Sequence, residues 1–538
     1  MGWLTRQLLR ESIKKVIGGI IMSTTIGTLF EQTVKKYPTK EALYYVQKDV
    51  RYSYQEWDQQ VNKVANALLD AGVEKGDRIS TYLFNTEELA TVYFASAKIG
   101  AVFNPINFRL AADELKFILE DATPKVVLFE RALATAVEAI QAQLPDSSFW
   151  YVDVDAPDFA VNYHEKVADA SDIRPEVEVN ENDLYAIMYT SGTTGRPKGV
   201  MHLHRDMVEQ SLILVAGSKL TSNDRGLVTA PMFHCAELHC AFLPRVHIGA
   251  TNIITHHFEP KQTLELIENE KITLFFSAPT MWNMMLQEDL QKYNLTSLRI
   301  GLYGAAPMAP ALVQKVHQSF GVALIQAYGM TEMGPAVTFL MEDEQITKAG
   351  AAGRAILNHE IRVVRPREDG RSEPTDTLLP GEAGEIIVQG PCMMQGYFNR
   401  AEAAEKSIYK GWYYSGDIGY FDEDGFLWIA DRVDDMIISG GENIYPREVE
   451  DVLYNHSGVL DVAVIGEPDE NWGERVTAIV VKKDPSITEI DLENYCKNSE
   501  ELADYKRPRR YLFTEQLPRN ASGKIQKFLL KKQLEPKQ

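Results

Sequence analysis

The sequence predicts an α/β fold. A large N-terminal domain of layered α/β sheets ends in a β-rich subdomain, and a small α+β C-terminal domain follows. Three observations carry this reading. From about residue 24 to 430, amphipathic helical stretches alternate with short apolar runs, the pattern of largely parallel strands joined through helices. Around residues 350–430 the texture changes to short strands between glycine-rich turns. At 538 residues and 45% hydrophobic content, the chain exceeds what one core holds.

Taken in order, residues 55–71 place Trp57, Val61, Val64, Ala65 and Leu68 on one helical face, and 78–83 reads as a strand. Helix returns at 87–98 and strand at 101–104, with further strands at 125–130, 274–277 and 298–303. In the β-rich stretch, 385–389 and 426–429 are strands, the second following the turn Asp422-Glu-Asp-Gly425. A domain boundary falls near Asp431-Arg-Val-Asp434. Beyond it come a helix at 446–454, strands at 462–465 and 477–482, a helix at 490–498 and a basic tail. The expected division is therefore 1–23 as an extension, 24–430 as the N-terminal domain, 431–434 as a hinge and 435–538 as the C-terminal domain. No short-period repeat occurs, which removes solenoid folds.

Charge and cysteine usage narrow the function. Lys plus Arg number 55 against 76 Asp plus Glu, a net charge of −21, which argues against nonspecific nucleic-acid binding. The four cysteines, Cys235, Cys240, Cys392 and Cys496, show no disulfide-framework spacing, so a reduced, cytoplasmic protein is expected. No apolar run reaches the roughly 18 residues of a membrane-spanning helix. In residues 1–22, apolar side chains from Trp3 to Ile21 recur at helical spacing between Arg6, Arg10, Lys14 and Lys15. That pattern suits a helix lying on a membrane surface. The preferred reading is an extension ahead of a start at Met22, because Thr25-Ile-Gly-Thr-Leu-Phe30 begins the domain-like sequence. Peripheral membrane contact and a homodimer are left open.

The most informative segment is Tyr189-Thr-Ser-Gly-Thr-Thr-Gly-Arg-Pro-Lys-Gly-Val200, which follows an apolar strand at 184–188. Its glycines let backbone N–H groups approach a phosphate, and its hydroxyls and ammonium add donors. It does not match the Walker pattern, because Arg-Pro-Lys follows Gly195. A flexible surface loop would explain the glycines but neither the buried strand nor the Lys-Gly-Val exit.

This string resembles the signature loop of the adenylate-forming superfamily of acyl-CoA synthetases, peptide-synthetase adenylation domains and firefly-type luciferases. Seven further motifs follow in that family's order: Pro231-Met-Phe-His234, Gly304-Ala-Ala-Pro307, Gln326-Ala-Tyr-Gly-Met-Thr-Glu332, Tyr414-Ser-Gly-Asp417, Asp431-Arg-Val-Asp434, Ser439-Gly-Gly-Glu-Asn443 and Pro518-Arg-Asn-Ala-Ser-Gly-Lys524. The resemblance implies an ATP-dependent acid–CoA ligase of the fatty-acid branch. A carboxylic acid attacks ATP to give an acyl-adenylate and pyrophosphate, and CoA then takes the acyl group and releases AMP. Such chemistry rests on positioning and on cations placed where negative charge develops.

The resemblance also implies roles. Thr190, Ser191, Gly192, Thr193, Thr194, Gly195 and Lys198 cradle the phosphates, Thr331 reaches the α-phosphate, and Glu332 with Thr193 holds Mg2+, a cation that takes oxygen ligands. Tyr328 offers an aromatic face to adenine within Gln326–Gly329, and Gly304, Ala305 and Ala306 form the opposite wall. Asp417 and Arg432 hold the ribose. Lys524, on a mobile C-terminal domain, bridges acid and phosphate during adenylation. The domain then pivots at Asp434 and presents Ser439, Gly440 and Gly441 to CoA. One departure from many relatives is Asp431 in place of glycine. Arg507, Arg509 and Arg510 are candidates for CoA phosphates, against a plain solvated patch.

Phe233-His-Cys-Ala-Glu-Leu-His-Cys240 invites a zinc reading, but the paired-ligand spacing of zinc sites is absent. By resemblance this segment begins a helix lining the acid pocket, with His234 near the carboxylate. Peptide-synthetase domains commonly carry aspartate at that place to pair with an α-ammonium, so an α-amino acid is disfavoured. The remaining acyl wall is assigned to Phe276, Met281, Trp282, Tyr303 and Met333, which suits a medium- or long-chain fatty acid. The alternatives are an aryl acid such as a cinnamate or benzoate, and an acyl-AMP ligase loading a carrier protein. A nonenzymatic scaffold would have lost Lys198, Glu332, Asp417 and Lys524, and all are present.

Overall fold

The computed structural model describes residues 24–190, 197–306, 308–366, 371–432, 435–439, 442–469, 472–499, 502–519 and 525–534. Residues 1–22, read above as an extension, lie outside this set. The first element among the described residues is the helix Ile26–Lys36, where the Thr25 hydroxyl accepts from the Thr28 amide and the Thr28 hydroxyl from the Thr25 amide. That reciprocal cap starts the helix where the domain-like sequence starts.

Among the described residues the strands form four sheets. The first runs in the order Gly396–Tyr397, Lys198–Leu203, Leu184–Thr190, Val102–Pro105, Arg78–Tyr82, Val126–Phe129, Ser148–Tyr151 and Val161–Asn162. The second runs Arg354–Ala355, Ala336–Leu340, Ala323–Gly329, Ile300–Gly304, Leu274–Ser277, Arg225–Val228, Thr251–Ile254, Glu41–Tyr45 and Val50–Ser53. Their central strands are parallel. Parallel sheets need cover on both faces, and the helix Glu87–Ile99 supplies it for both. It touches Val102–Pro105 of the first sheet and Glu41–Tyr45 of the second, and every one of its residues is buried. Phe94 stacks on Phe30 at 4.4 Å and meets Trp57 edge-on at 5.2 Å, joining three helices into one core.

The β-rich subdomain is an antiparallel sheet of Glu360–Val364, Gly384–Gln389, Trp412–Phe421 and Ile408–Tyr409, with Leu427–Arg432 paired to Trp412–Phe421. The next strand, Ile437–Ser439, joins a different sheet with Glu442–Ile444, Gly473–Lys482, Val459–Asp469 and Arg510–Thr514. The change of sheet falls between residues 432 and 437. The helices Pro446–Tyr454, Glu489–Asn498 and Lys527–Leu534 complete the smaller domain. Arg447 reaches back to the larger one, donating to the carbonyls of Ile429 at 3.0 Å and Gly350 at 3.3 Å.

Two elements differ from expectation. The hairpin strands of the small domain run Val459–Asp469 and Gly473–Lys482, longer than 462–465 and 477–482. Cross-strand pairing carries through Pro468 and Glu474, where apolar patterning stops. The acid-side helix is not regular: Cys235–Glu237 is α, Leu238–Phe242 is π and Leu243–Ile248 is α again. Pro244 has no N–H to give the carbonyl of Cys240, and a widened turn accommodates that loss.

Candidate active site

The strands on either side of the expected phosphate loop form an antiparallel hairpin. Thr190 and Lys198 lie opposite each other in the antiparallel ladder between Leu184–Thr190 and Lys198–Leu203, so both ends of the loop arrive together. Ser191, Gly192, Thr193, Thr194 and Gly195 lie outside the described residues. Gly199 allows the return strand to pass close to its partner, since a Cβ there would sit 2.7 Å from Ile187 Cγ2.

Lys198 Nζ rests over the Tyr397 ring, 4.6 Å from its centroid. The Tyr397 hydroxyl donates to Glu332 Oε1 at 2.8 Å. One aromatic side chain therefore stands between the ammonium and the buried carboxylate, touching both. Sequence reasoning missed Tyr397; it carries no motif signal and reaches the site on a two-residue strand paired to Met201 and Val200. Glu332 lies in the short 3-10 turn Thr331–Met333, and its carbonyl accepts from the Met394 amide at 2.7 Å. A carboxylate so anchored is the hard oxygen donor that Mg2+ takes.

Gly304 and Tyr328, two of the expected nucleoside residues, lie at the ends of adjacent strands, and Asp417 reaches Tyr328 from the β-rich sheet. Gly304 and Ala327 are partners in register, and a Cβ on Gly304 would lie 2.4 Å from the Ala327 carbonyl oxygen. Ala305 follows in the left-handed region, at φ +65°, and Ala306 continues the same bend. Tyr328 donates to Asp417 Oδ2 at 2.7 Å, which fixes the ring and the carboxylate as one unit. Asp417 pairs in register with Arg432, and its amide donates to the Ser415 hydroxyl at 3.0 Å. The Arg432 side chain lies outside the described atoms. Gln326 is engaged by the Tyr303 hydroxyl, which lies 2.9 Å from its side-chain amide and 2.8 Å from that of Gln345.

At the acid side, Asn85 pins the segment ahead of His234. Its amide donates to the Ala230 carbonyl at 3.0 Å, and its side-chain oxygen accepts from the Met232 amide at 2.8 Å. His234 caps the helix after it: Nδ1 accepts from the Ala236 amide at 3.1 Å, which puts the ring proton on Nε2. Loss of solvent around the ring pushes its pKa down to about 4, so at neutral pH it is an uncharged hydrogen-bond donor.

The acyl-wall residues do not form one surface. Phe276 and Met281 pack with Ala236 and Cys240 of the acid-side helix. Trp282 belongs elsewhere: it is fully buried against Phe275 and Phe320, under Gly301, in a separate core. The alternation along Leu274–Ser277 explains this, since Phe275 and Phe276 face opposite sides of the sheet. Tyr303 shares the core of Trp282, and Met333 packs toward the β-rich subdomain with Tyr397 and Tyr413. Ala236 and Cys240 belong to the segment Phe233–Cys240 that the sequence reading placed along the acid pocket, though that reading did not name them individually as wall residues.

Lys524, Asp434, Gly440 and Gly441 lie outside the described residues. Ser439 ends the strand Ile437–Ser439, in register with Gly473. The arginine patch is already paired: Arg507 with Glu493 at 2.8 Å and Asp504 at 3.2 Å, Arg509 with Asp504 at 3.5 Å, and Arg510 with Glu467 at 2.6 Å. All four cysteines are free and buried. Burial pushes the Cys235 thiol up to about 12 and raises those of Cys240, Cys392 and Cys496.

Comparison with known proteins agrees with this geometry. The family profile of AMP-binding enzymes matches residues 30–398, and that of the AMP-binding enzyme C-terminal domain matches residues 448–524. The long-chain-fatty-acid–CoA ligase FadD13 of Mycobacterium tuberculosis is 36% identical over 94% of this chain and 98% of its own length. A feruloyl-CoA synthase of an Amycolatopsis species is 38% identical over 88% of this chain and 92% of its own. The crystal structure of ATP-bound MatB from Rhodopseudomonas palustris superposes with a TM-score of 0.86 at 30% identity, covering 95% of this chain and 99% of that one. The chain belongs to the AMP-binding, adenylate-forming enzymes, in their acid–CoA ligase group.

Proposed function

We propose that this ligase activates a monocarboxylic acid with an uncharged apolar tail, a medium- or long-chain fatty acid. The observation that carries this reading is the apolar cluster of Ala236, Cys240, Phe276 and Met281 next to the segment that begins at the neutral His234, with no ionised group among these five. A tail carrying a second carboxylate or an ammonium would lose its hydration there without gaining a partner. The similarity to FadD13, a long-chain-fatty-acid–CoA ligase, points the same way.

Enzymes of this family use ATP, Mg2+ and CoA. In the proposed assignment Lys198, the Thr190–Gly195 loop and Thr331 hold the phosphates, and Glu332 with Thr193 holds Mg2+. Tyr328, Asp417 and Arg432 hold the nucleoside, and the His234 Nε2–H donates to the acid's carboxylate. Lys524 joins acid and phosphate for the first step, and pivoting at Asp434 brings Ser439, Gly440 and Gly441 to CoA for the second.

A panel of acids assayed for CoA-dependent AMP formation tests this. Saturated acids of eight to sixteen carbons should give the highest kcat/KM, and dicarboxylates less than about one-hundredth of it, the cost of burying one unpaired charge. Ferulate or another aryl acid outrunning every fatty acid would replace the proposed tail. Adenylate released without thioester would overturn CoA as acceptor in favour of a carrier protein.

A further inference from the structure

Thr331 is held at two atoms by side chains that the assignment above does not use. His202, on the strand leaving the phosphate loop, places Nε2 2.7 Å from the Thr331 carbonyl oxygen. A carbonyl only accepts, so the ring proton is on Nε2. The ring is fully buried, and the loss of water pushes its pKa down to about 4, so this neutral tautomer is the one present at neutral pH. Cys235, the residue after His234, places Sγ 3.2 Å from Thr331 Oγ1. Its thiol stays protonated, and thioether- or thiol-type sulfur is a weak acceptor. In the brace proposed below, the S–H donates to Oγ1.

The direction of that bond has a consequence. A threonine hydroxyl has one proton and two lone pairs. An Oγ1 that accepts from Cys235 keeps its own hydrogen for another acceptor, and a hydroxyl held by a donor is itself a better donor. His202 fixes the backbone from which that hydroxyl projects. Three segments meet at this residue: the strand after the phosphate loop, the helix that begins at the acid, and the turn bearing Glu332.

We propose that His202 and Cys235 are positioning residues for adenylation, bracing Thr331 so that its hydroxyl hydrogen is offered to a phosphate oxygen of the bound nucleotide. The inference rests on the assignment of Thr331 to phosphate. Because Cys235 adjoins His234, the same brace ties the acid-side helix to the nucleotide side of the cleft.

The test is acid-dependent ATP–pyrophosphate exchange by the full chain carrying Cys235→Ser, Cys235→Val, His202→Gln or His202→Leu, with Thr331→Val as the reference. Cys235→Val should lower kcat by about tenfold, the loss of one hydrogen bond to the reacting side, with the KM for the acid unchanged. Cys235→Ser, which keeps a donor, should stay within about threefold of the parent. His202→Gln, whose amide can replace Nε2–H, should be faster than His202→Leu. An infrared S–H stretch that is missing in Cys235→Ser should shift in the parent when a nonhydrolysable ATP analogue binds, a readout that packing alone does not move. If Thr331→Val exchanges at the parental rate, the phosphate assignment of Thr331 fails. If Thr331→Val is slow while Cys235→Val and His202→Leu match the parent, or if the S–H band does not move, the brace alone falls.

Discussion

Tyr328 is aimed through its hydroxyl rather than through its ring. The 2.7 Å bond to Asp417 holds an aromatic face and a carboxylate at a set spacing, which suits the base and ribose contacts proposed for them. Tyr328→Phe keeps the face and removes one hydrogen bond to Asp417. A hydrogen bond to a charged partner contributes about 1.5–3 kcal/mol, so the KM for ATP should rise about tenfold in the exchange assay while the KM for the acid stays. Tyr397 differs, because its hydroxyl consumes one oxygen of Glu332. Tyr397→Phe should raise the Mg2+ concentration giving half-maximal exchange by about tenfold, the same hydrogen-bond scale; an unchanged Mg2+ profile would detach Glu332 from the metal. Neither tyrosine's partner was legible in the sequence, since 89 residues separate Tyr328 from Asp417 and 65 separate Glu332 from Tyr397. The motif residues themselves were legible, because glycine, hydroxyl and carboxylate types cluster there at short spacing.

At the scale of elements, strand ends do the positioning. Gly304 can approach Ala327 only without a side chain, so Gly304→Ala should push two paired strands apart. A cost of about 1–3 kcal/mol for overpacking is expected, read as a lower denaturant midpoint together with weaker AMP binding. Trp282 illustrates what periodicity hides. It follows the strand Leu274–Ser277 closely in sequence, yet it fills the core behind the sheet rather than the acid side. Trp282→Phe should therefore destabilise the large domain and leave the ranking of acids unchanged, whereas Phe276→Ala should change that ranking in the AMP-formation panel. Most helices and strands were legible because their apolar period is regular. The π segment Leu238–Phe242 was not, because it arises from one missing N–H at Pro244 rather than from any change of pattern.

For the whole molecule, burial of histidine sets a pH dependence. His202, His204 and His234 are pushed down to about 4 by loss of solvent, while in the unfolded chain they titrate near 6.5. Between those values the unfolded state binds more protons, so this contribution to stability is complete above pH 6.5 and is lost as pH falls toward 4. His204→Gln, which keeps an acceptor for the Ile26 amide bonded by the ring at 3.3 Å, should flatten that slope by up to about 1.4 kcal/mol per pH unit. Urea midpoints of parent and variant across this window check it, and groups common to both cancel in the difference. The two domains share the Arg447 contacts to the carbonyls of Ile429 and Gly350. A ligase that hands acyl groups to one thiol must keep its other thiols from competing. Burial raises all four thiols, that of Cys235 to about 12, and only the thiolate attacks. Burial thereby holds the four cysteines in the protonated form, which competes poorly with the cosubstrate's sulfur for an acyl group.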